Sequence, residues 1–386
     1  MKVEKIGLLG YGTVGYGVAD VIDANANTMA KKYGFSLQVK AICDIADFSG
    51  DKREDLIVKD FDLLVSDPEI SLIVECIGGL NPAYPFVQKA LKAGKSVVTS
   101  NKELIATYGY ELMQLAKQNG CKLLFEAAVG GGTPLLTPIY KSLAANNITS
   151  VYGILNGTTN FILSKMKNEH MSFDDALKLA QQLGYAETID PSADTEGHDA
   201  CRKICILAGL CFGKGVNPQW VPTTGITRLS LLDINAAHAM GGEIKLIGGA
   251  ELGENGINIF VEPAFVPHSN QLSHVEEAFN GMAVTGDMVG QVFFYGQGAG
   301  KLPTASAVVA DVLAALNGDT PDLVWEAPDM ANMAISDVAD YFVVADSLPE
   351  GVTFDGGMCA LYKNVSRKVL QASLSGYDVF SILRAV

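Results

Sequence analysis

Gly10, Gly12 and Gly15 constrain this chain more than any other feature. They form a G-x-G-x-x-G run that follows an apolar, strand-like segment, Lys5 to Leu9, and opens a helical pattern. In that setting the first glycine permits a tight turn, the second lets the backbone approach a pyrophosphate, and the third lets helix and strand pack closely. A glycine-rich turn in some other α/β protein is the alternative, and the position in the first βαβ unit argues against it. The reading is a dinucleotide seated on a helix N-terminus.

The pattern continues accordingly. Leu37 to Cys43, Leu72 to Cys76, Ser96 to Thr99 and Lys122 to Phe125 are further strand candidates. Helical patterns at Pro85 to Lys92 and Lys102 to Asn119 stop at Gly94 and Gly120. Alternation of this kind predicts an α/β fold whose N-terminal part is a Rossmann-type, doubly wound parallel sheet. It spans residues 1–130 and is completed by a returning segment at about 296–322 that carries the helical pattern Thr304 to Leu316. Residues 131–295 read as an α+β substrate domain. Its helices are expected at Pro134 to Ala145 and Phe173 to Leu183, and its strands at Ser150 to Leu155, Ile257 to Phe265 and Gly290 to Tyr295. Residues 323–386 read as a short C-terminal extension with strands at Tyr341 to Ala345 and Asp378 to Leu383 and a helix at Ser366 to Ser375.

Composition narrows the partners. In 386 residues, 28 Lys and Arg face 43 Asp and Glu, a net charge of −15, and that field opposes binding to a phosphate backbone. The longest apolar stretches, such as Ile204 to Phe212, are near half of the ~20 residues a membrane helix needs. The first residues carry no pattern of a secretion signal, and seven scattered cysteines suit reduced thiols. The expectation is a cytoplasmic protein without disulfides, binding neither nucleic acid nor membrane.

Asp44, just beyond the second strand, is placed to accept from a ribose 2′-hydroxyl, which favours NAD over NADP; a simple strand-end turn residue is the other reading. No arginine appears nearby before Arg53. The densest ionisable cluster is Glu187 to Lys203. A helix starting near Gly197 puts Asp199 and Lys203, at i and i+4, on one face. A lysine beside a carboxylate can exchange a proton with a substrate oxygen next to a nicotinamide, whereas an isolated pair of this spacing would be an exposed salt bridge. His198, Cys201 and Cys205 share another helical face, but no fourth ligand at suitable spacing supports zinc.

The sequence resembles homoserine dehydrogenase from Gly7 to about Asp311. The resemblance rests on G-Y-G-T-V-G at 10–15, E-C-I-G-G at 75–79, V-V-T-S-N-K at 97–102 and F-E-A-A-V-G-G-G-T-P at 125–134. It continues in G-I-L-N-G-T-T-N-F-I-L at 153–163, L-G-Y-A-E at 183–187, D-T-E-G-H-D-A-C-R-K at 194–203 and Y-G-Q-G-A-G-K-L-P-T-A-S-A-V at 295–308. It implies NAD(P)-dependent interconversion of L-homoserine and L-aspartate 4-semialdehyde, in the pathway to threonine and methionine. It also implies a homodimer or higher homo-oligomer formed through the substrate domain.

By this resemblance Lys203 is the general acid and base and Asp199 orients the reacting oxygen. Glu187 and Asp194 hold the substrate ammonium, and Gly157 and Thr158 the carboxylate. Gly10, Gly12, Thr13, Val14, Gly15, Asp44, Lys102 and Gly298 line the cofactor, with Lys102 on the nicotinamide side. Glu126, Val129, Gly131 and Thr133 match a loop for a monovalent cation such as Na+, and a purely structural turn stays open there. Three departures stand out. Thr188 and Ile189 separate Glu187 from Asp190, where the family usually has one residue. Cys43 stands where many members carry Arg. The tail is too short for a complete regulatory ACT domain, and its patterns suggest at most a reduced remnant.

Two other classes remain open at this point. Aspartate-semialdehyde dehydrogenase would need an activated cysteine nucleophile, and a dinucleotide-binding sensor would need no Lys203 or Asp199.

Overall fold

The computed structural model describes residues 2–320, 322–323, 325–334 and 336–386; Pro321, Val324 and Ile335, within the returning segment and the C-terminal extension, lie outside the described residues. The chain forms two compact units. The first comprises Met1–Ala145, Cys205–Asn217 and Gln297–Pro328, and the second comprises Asn146–Ile204, Pro218–Gly296 and Asp329–Val386.

In the first unit six strands form one parallel sheet: β1 (Lys2–Leu9), β2 (Phe35–Cys43), β3 (Ile57–Val58), β4 (Ile70–Glu75), β5 (Ser96–Thr99) and β6 (Leu123–Leu124). Their order is β3-β2-β1-β4-β5-β6, so the winding reverses between β1 and β4, as a doubly wound sheet requires. Val, Ile and Leu make up most of the buried ends of β1 and β4, as expected for central strands of a parallel sheet. The helix Thr13–Tyr33 runs from the glycine turn to Gly34, a left-handed cap at φ +78° with Lys31 and Lys32 in the last turn, a favourable end for the helix dipole. It packs on the helix Lys301–Asn317, and Gly17 permits the closeness: a Cβ there would lie 2.8 Å from the Lys301 carbonyl oxygen.

The helix expected at Pro134 to Ala145 is present but shorter than its pattern: residues 136–142 are helical, with Pro138–Ser142 as a π-turn, and a separate turn, Ala127–Gly130, precedes it. At its start the buried Glu126 carboxylate accepts from the backbone N–H groups of Leu135 (2.6 Å), Leu136 (2.9 Å) and Thr137 (2.7 Å), donors that a first helical turn leaves without an intrahelical acceptor. These contacts tie the segment to the first unit, which therefore extends to Ala145 rather than ending near 130.

The second unit is built on nine strands: β7 (Ile148–Ile154), β8 (Gly242–Gly253), β9 (Gly256–Pro267), β10 (Phe279–Gly286), β11 (Gly290–Gln297), β12 (Val338–Ala345), β13 (Val352–Phe354), β14 (Gly357–Ser366) and β15 (Val379–Ala385). The order is β11-β10-β7-β8-β9-β15-β12-β14-β13. The C-terminal strands are thus not a separate element. β15 runs parallel to β9, with Arg384 opposite Ala264 and Ala385 opposite Phe265, and extends the same sheet. Tyr341, Val343 and Ala345 of β12 bury their side chains with Leu370 and Leu374 in a cluster of their own. No helix among the described residues is long and apolar enough to cross a membrane.

Candidate active site

The glycine turn sits at the switch point of the first unit's sheet. Gly10 follows β1 at φ +95°, and a Cβ there would come within 3.0 Å of the Cys76 carbonyl carbon and the Ile77 nitrogen, just beyond β4. Gly15 is tighter still, since its Cβ would lie 2.1 Å from the Gly10 oxygen, whereas a Cβ on Gly12 would meet nothing within 4 Å. The open side at Gly12 is where a pyrophosphate can approach. The first helical bond runs from Tyr16 N–H to the Gly12 oxygen (2.9 Å), so the N–H groups of Thr13, Val14 and Gly15 precede any intrahelical acceptor. A helix N-terminus of this form suits an anion. The residues present therefore fit a dinucleotide.

Asp44 steadies this turn. Its carboxylate accepts from Tyr11 N–H (2.7 Å) and Ala46 N–H (2.9 Å). Arg53 is brought close but is committed elsewhere: its guanidinium donates to the Tyr11 hydroxyl (2.9 Å), to Asp20 (3.0 Å) and to Asp23. Beyond β4, buried Glu75 accepts from the N–H groups of Ile77 (2.8 Å) and Gly78 (3.1 Å) and from the Thr99 hydroxyl. Asn101 caps the helix Lys102–Gln118 by accepting from Leu104 N–H, and donates to the Gly79 oxygen at 2.6 Å. Lys102 is the first residue of that helix. Glu75, Thr99 and Asn101 were not singled out from the sequence, although each lies inside a motif that was.

The Glu126 loop is also in the first unit. With the Thr137 hydroxyl at 2.6 Å, four donors occupy the two Glu126 oxygens, which uses their four lone-pair sites. Asp311 accepts from Glu126 N–H at 2.8 Å, and burial pushes its carboxyl up to about 8. Gly131, at φ +57°, is pressed against Gly298: a Cβ would lie 2.2 Å from the Gly298 oxygen. Thr133 donates to the Gln297 oxygen at 3.3 Å. The Glu126 carboxylate is thus fully engaged within the protein, so a monovalent cation at this loop would have to be held by backbone carbonyl oxygens. Val129 is buried in the same turn.

The second unit holds the proton-transfer candidates. Gly197 turns the chain at φ +82°, and the helix His198–Phe212 starts directly after it, so Asp199 and Lys203 do share a face. Lys203 is 6% exposed and Asp199 3%, which removes the reading as a surface salt bridge. The Lys203 ammonium donates to Asp199 Oδ2 and to the Leu155 oxygen, both at 2.7 Å. The residue that gathers the cluster is Asn156, which sequence reasoning missed. Its Nδ2 donates to Asp194 Oδ1 (2.7 Å) and Asp199 Oδ2 (2.9 Å), and its Oδ1 caps the helix Gly157–Glu169 through Thr159 N–H (2.8 Å). An Asn before Gly-Thr-Thr was the available signal. Gly157 stands against the Ala278 oxygen, 2.6 Å from where a Cβ would be, and the Thr158 hydroxyl donates to the Tyr185 oxygen (2.8 Å).

The Glu187 side chain makes no hydrogen bond to Lys203, Asp199, Asn156 or Asp194, although Tyr185, two residues before it, accepts from Thr158. Glu187 lies exposed on a loop whose Ile189 is 96% exposed. Cys201 donates to the Pro218 oxygen at 3.4 Å. Burial pushes the Cys211 thiol up to about 12 and the Cys359 thiol up to about 11, and raises those of Cys43, Cys76 and Cys121, the opposite of what an acyl-forming nucleophile needs.

Residues 10–126 match the family pattern described as "Homoserine dehydrogenase, NAD binding domain", and residues 134–313 match "Homoserine dehydrogenase". The chain is 43% identical over 318 residues to the homoserine dehydrogenase of Neisseria gonorrhoeae, covering 81% of this chain and 72% of that one. The chain belongs to the homoserine dehydrogenase family. The solved homoserine dehydrogenase from Thiobacillus denitrificans superposes with a TM-score of 0.90 at 34% identity, over 100% of this chain and 99% of that one. A hyperthermophilic archaeal homoserine dehydrogenase in complex with NADPH gives 0.71 at 29% identity, over 83% and 99%. The chain is accordingly an NAD(P)-dependent oxidoreductase with a nicotinamide cofactor.

Proposed function

We propose that this homoserine dehydrogenase interconverts L-aspartate 4-semialdehyde and L-homoserine with Lys203 moving the proton at the substrate oxygen. The observation that carries the reading is the buried hydrogen-bonded set Lys203, Asp199, Asn156 and Asp194. When bound, the nicotinamide supplies or takes the hydride at the carbon bearing that oxygen. In reduction the Lys203 ammonium gives a proton to the oxygen as its negative charge develops, and in oxidation the neutral amine takes that proton back. Asp199 and the Leu155 carbonyl fix the direction of the ammonium.

The substrate is an amino acid, so its two charged ends need opposite partners. Asp194, held in the cluster by Asn156, is the first carboxylate assigned to its ammonium, with the exposed Glu187 as the second. The carboxylate is assigned to the start of the helix Gly157–Glu169: Asn156 already takes the N–H groups of Thr159 and Asn160, which leaves those of Gly157 and Thr158 for an anion.

The cofactor assigned is NAD. Asp44 lies at the end of β2 where a ribose hydroxyl would donate, and Arg53 is held by Tyr11, Asp20 and Asp23 rather than offered to a 2′-phosphate. Initial rates of NADH and NADPH oxidation with L-aspartate 4-semialdehyde, with and without phosphate, test both parts. Phosphate-independent turnover favouring NADH is expected, with Asp44→Ser moving the preference towards NADPH. A preference for NADPH would remove Asp44 from its role, and absence of turnover with either would sink the reading of Lys203.

A further inference from the structure

Apart from the residues discussed so far, His238, Glu243 and His268 converge at one corner of the second unit. His238 lies in the last turn of the helix Leu231–Ala239, Glu243 is the second residue of β8, and His268 directly follows β9. Their ligating atoms all lie within 4.8 Å of one another.

Local backbone geometry makes this convergence. Gly241, at φ +82°, turns the chain from the helix into β8. β8 and β9 pair antiparallel with Gly242 opposite Pro267 and Glu243 opposite Val266, and His268 N–H donates to the Gly241 oxygen at 2.9 Å. Two of the three side chains therefore come from one short turn, and the third from the strand end hydrogen-bonded to it. Glu243 is 5% exposed while both imidazoles are exposed. His268 Nε2 already lies 2.9 Å from Glu243 Oε1, and His274 Nε2 contacts the His268 oxygen at 3.0 Å.

Two imidazoles and a carboxylate are the ligand set of borderline divalent cations, whereas Mg2+ and Ca2+ prefer oxygen alone. We propose that His238, Glu243 and His268 form a binding site for a borderline divalent metal ion of the Zn2+ class. With bonds of about 2.0–2.2 Å, ligand atoms around a tetrahedral ion sit roughly 3.3 Å apart. The closure from the present spacing is a rotation of side chains, and the exposure of the two imidazoles leaves room for it.

The competitor for the carboxylate is the Lys167 ammonium, 3.1 Å from Glu243 Oε1. It also holds Glu276 at 2.8 Å, so displacement from Glu243 does not leave it without a carboxylate. This competition, and a coordination sphere completed by water, make the site an exchangeable one rather than a structural site on which folding depends.

The test uses the full-length chain without a polyhistidine tag, stripped with chelator and titrated with Co2+ by visible absorption and with Zn2+ by calorimetry. One equivalent of each is expected, with cobalt bands of nitrogen and oxygen ligation and no competition from millimolar Mg2+. His238→Ala and His268→Ala should each weaken binding about tenfold or more, and the double variant should abolish it, with far-UV circular dichroism unchanged. Equal binding by the wild type and the double variant, no binding by the wild type, or a thiolate-to-cobalt band placing the metal on cysteine would each overturn the proposal.

Discussion

The side-chain amide nitrogen of Asn156 lies 2.9 Å from Asp199 Oδ2, and the same oxygen accepts from the Lys203 ammonium at 2.7 Å. One carboxylate oxygen therefore couples the position of Lys203 to the start of the helix Gly157–Glu169, because Asn156 is also that helix's N-cap. Asn156 thus serves the fold and the site together, and a pair of variants can separate the two roles. Asn156→Ser keeps an oxygen able to cap and loses the amide donor; Asn156→Ala loses both. Loss of the cap is worth about 1 kcal/mol, so only the alanine variant should lose thermal stability. Both should lose about 10²-fold in kcat/KM for homoserine, the scale expected when a reacting group is misplaced by about 1 Å. Serine restoring activity along with stability would reduce Asn156 to a cap.

Lys203→Met removes the ammonium while keeping much of the buried stem. Proton transfer by a positioned side chain is worth about 10² to 10⁴ in rate, so kcat should fall by that range while the cofactor, titrated by nicotinamide fluorescence, binds as before. Near-normal turnover would take the proton-transfer role away from Lys203.

The glycines of the turn predict opposite failures. Gly15→Ala places a methyl 2.1 Å from the Gly10 oxygen, a backbone atom that cannot give way, so the turn itself should distort and both melting temperature and cofactor binding should fall. Gly12→Ala places its methyl in open space, where only a bound pyrophosphate would meet it. That variant should melt like the wild type and raise the cofactor KM by about tenfold or more, equivalent to roughly 1.4 kcal/mol. A normal cofactor KM for Gly12→Ala would place the pyrophosphate elsewhere.

The parallel sheet and the spacing of Asp199 and Lys203 were legible in the sequence because their signals are local: an apolar run closed by a glycine turn, or two residues one helical turn apart. What was missed or misread had a weak local signal or depended on partners elsewhere in the chain. Pro134 to Ala145 has a helical pattern, but only residues 136–142 are helical and Pro138–Ser142 is a π-turn, whose wider i→i+5 spacing no periodicity announces. The helix Gly157–Glu169 begins with Gly-Thr-Thr-Asn, a poor helical start that its buried cap overrides. In β8, Gly248 and Gly249 hide a strand whose missing side chains make room for Leu155 and Phe260. No periodicity announces that β15 will pair with β9.

A last prediction concerns acid stability and follows from Asp20. Partial desolvation raises its pKa, but hydrogen bonds from Lys301, Lys52 and Arg53, each at 3.0 Å, prevail and hold the carboxyl well below the usual carboxylate range. A depressed folded-state pKa contributes stability that is complete above the unfolded value, near 3.9, and is lost as pH falls below it towards the folded value. Asp20→Asn cannot ionise and forgoes that contribution at every pH. At pH 7 it should therefore melt a few °C below the wild type, the shift that about 1 kcal/mol produces in a domain of this size. The gap should hold down to about pH 4 and narrow below it, because there the unfolded wild type gains a proton that the folded wild type still refuses. Arg53 gives the measurement a bearing on the cofactor site, since the guanidinium bound by Asp20 also donates to the Tyr11 hydroxyl beside Gly10 and Gly12. A gap that stays constant from pH 7 to pH 2.5 would mean that the Asp20 charge contributes nothing, and that Arg53 is held at Tyr11 by packing and by Asp23 instead.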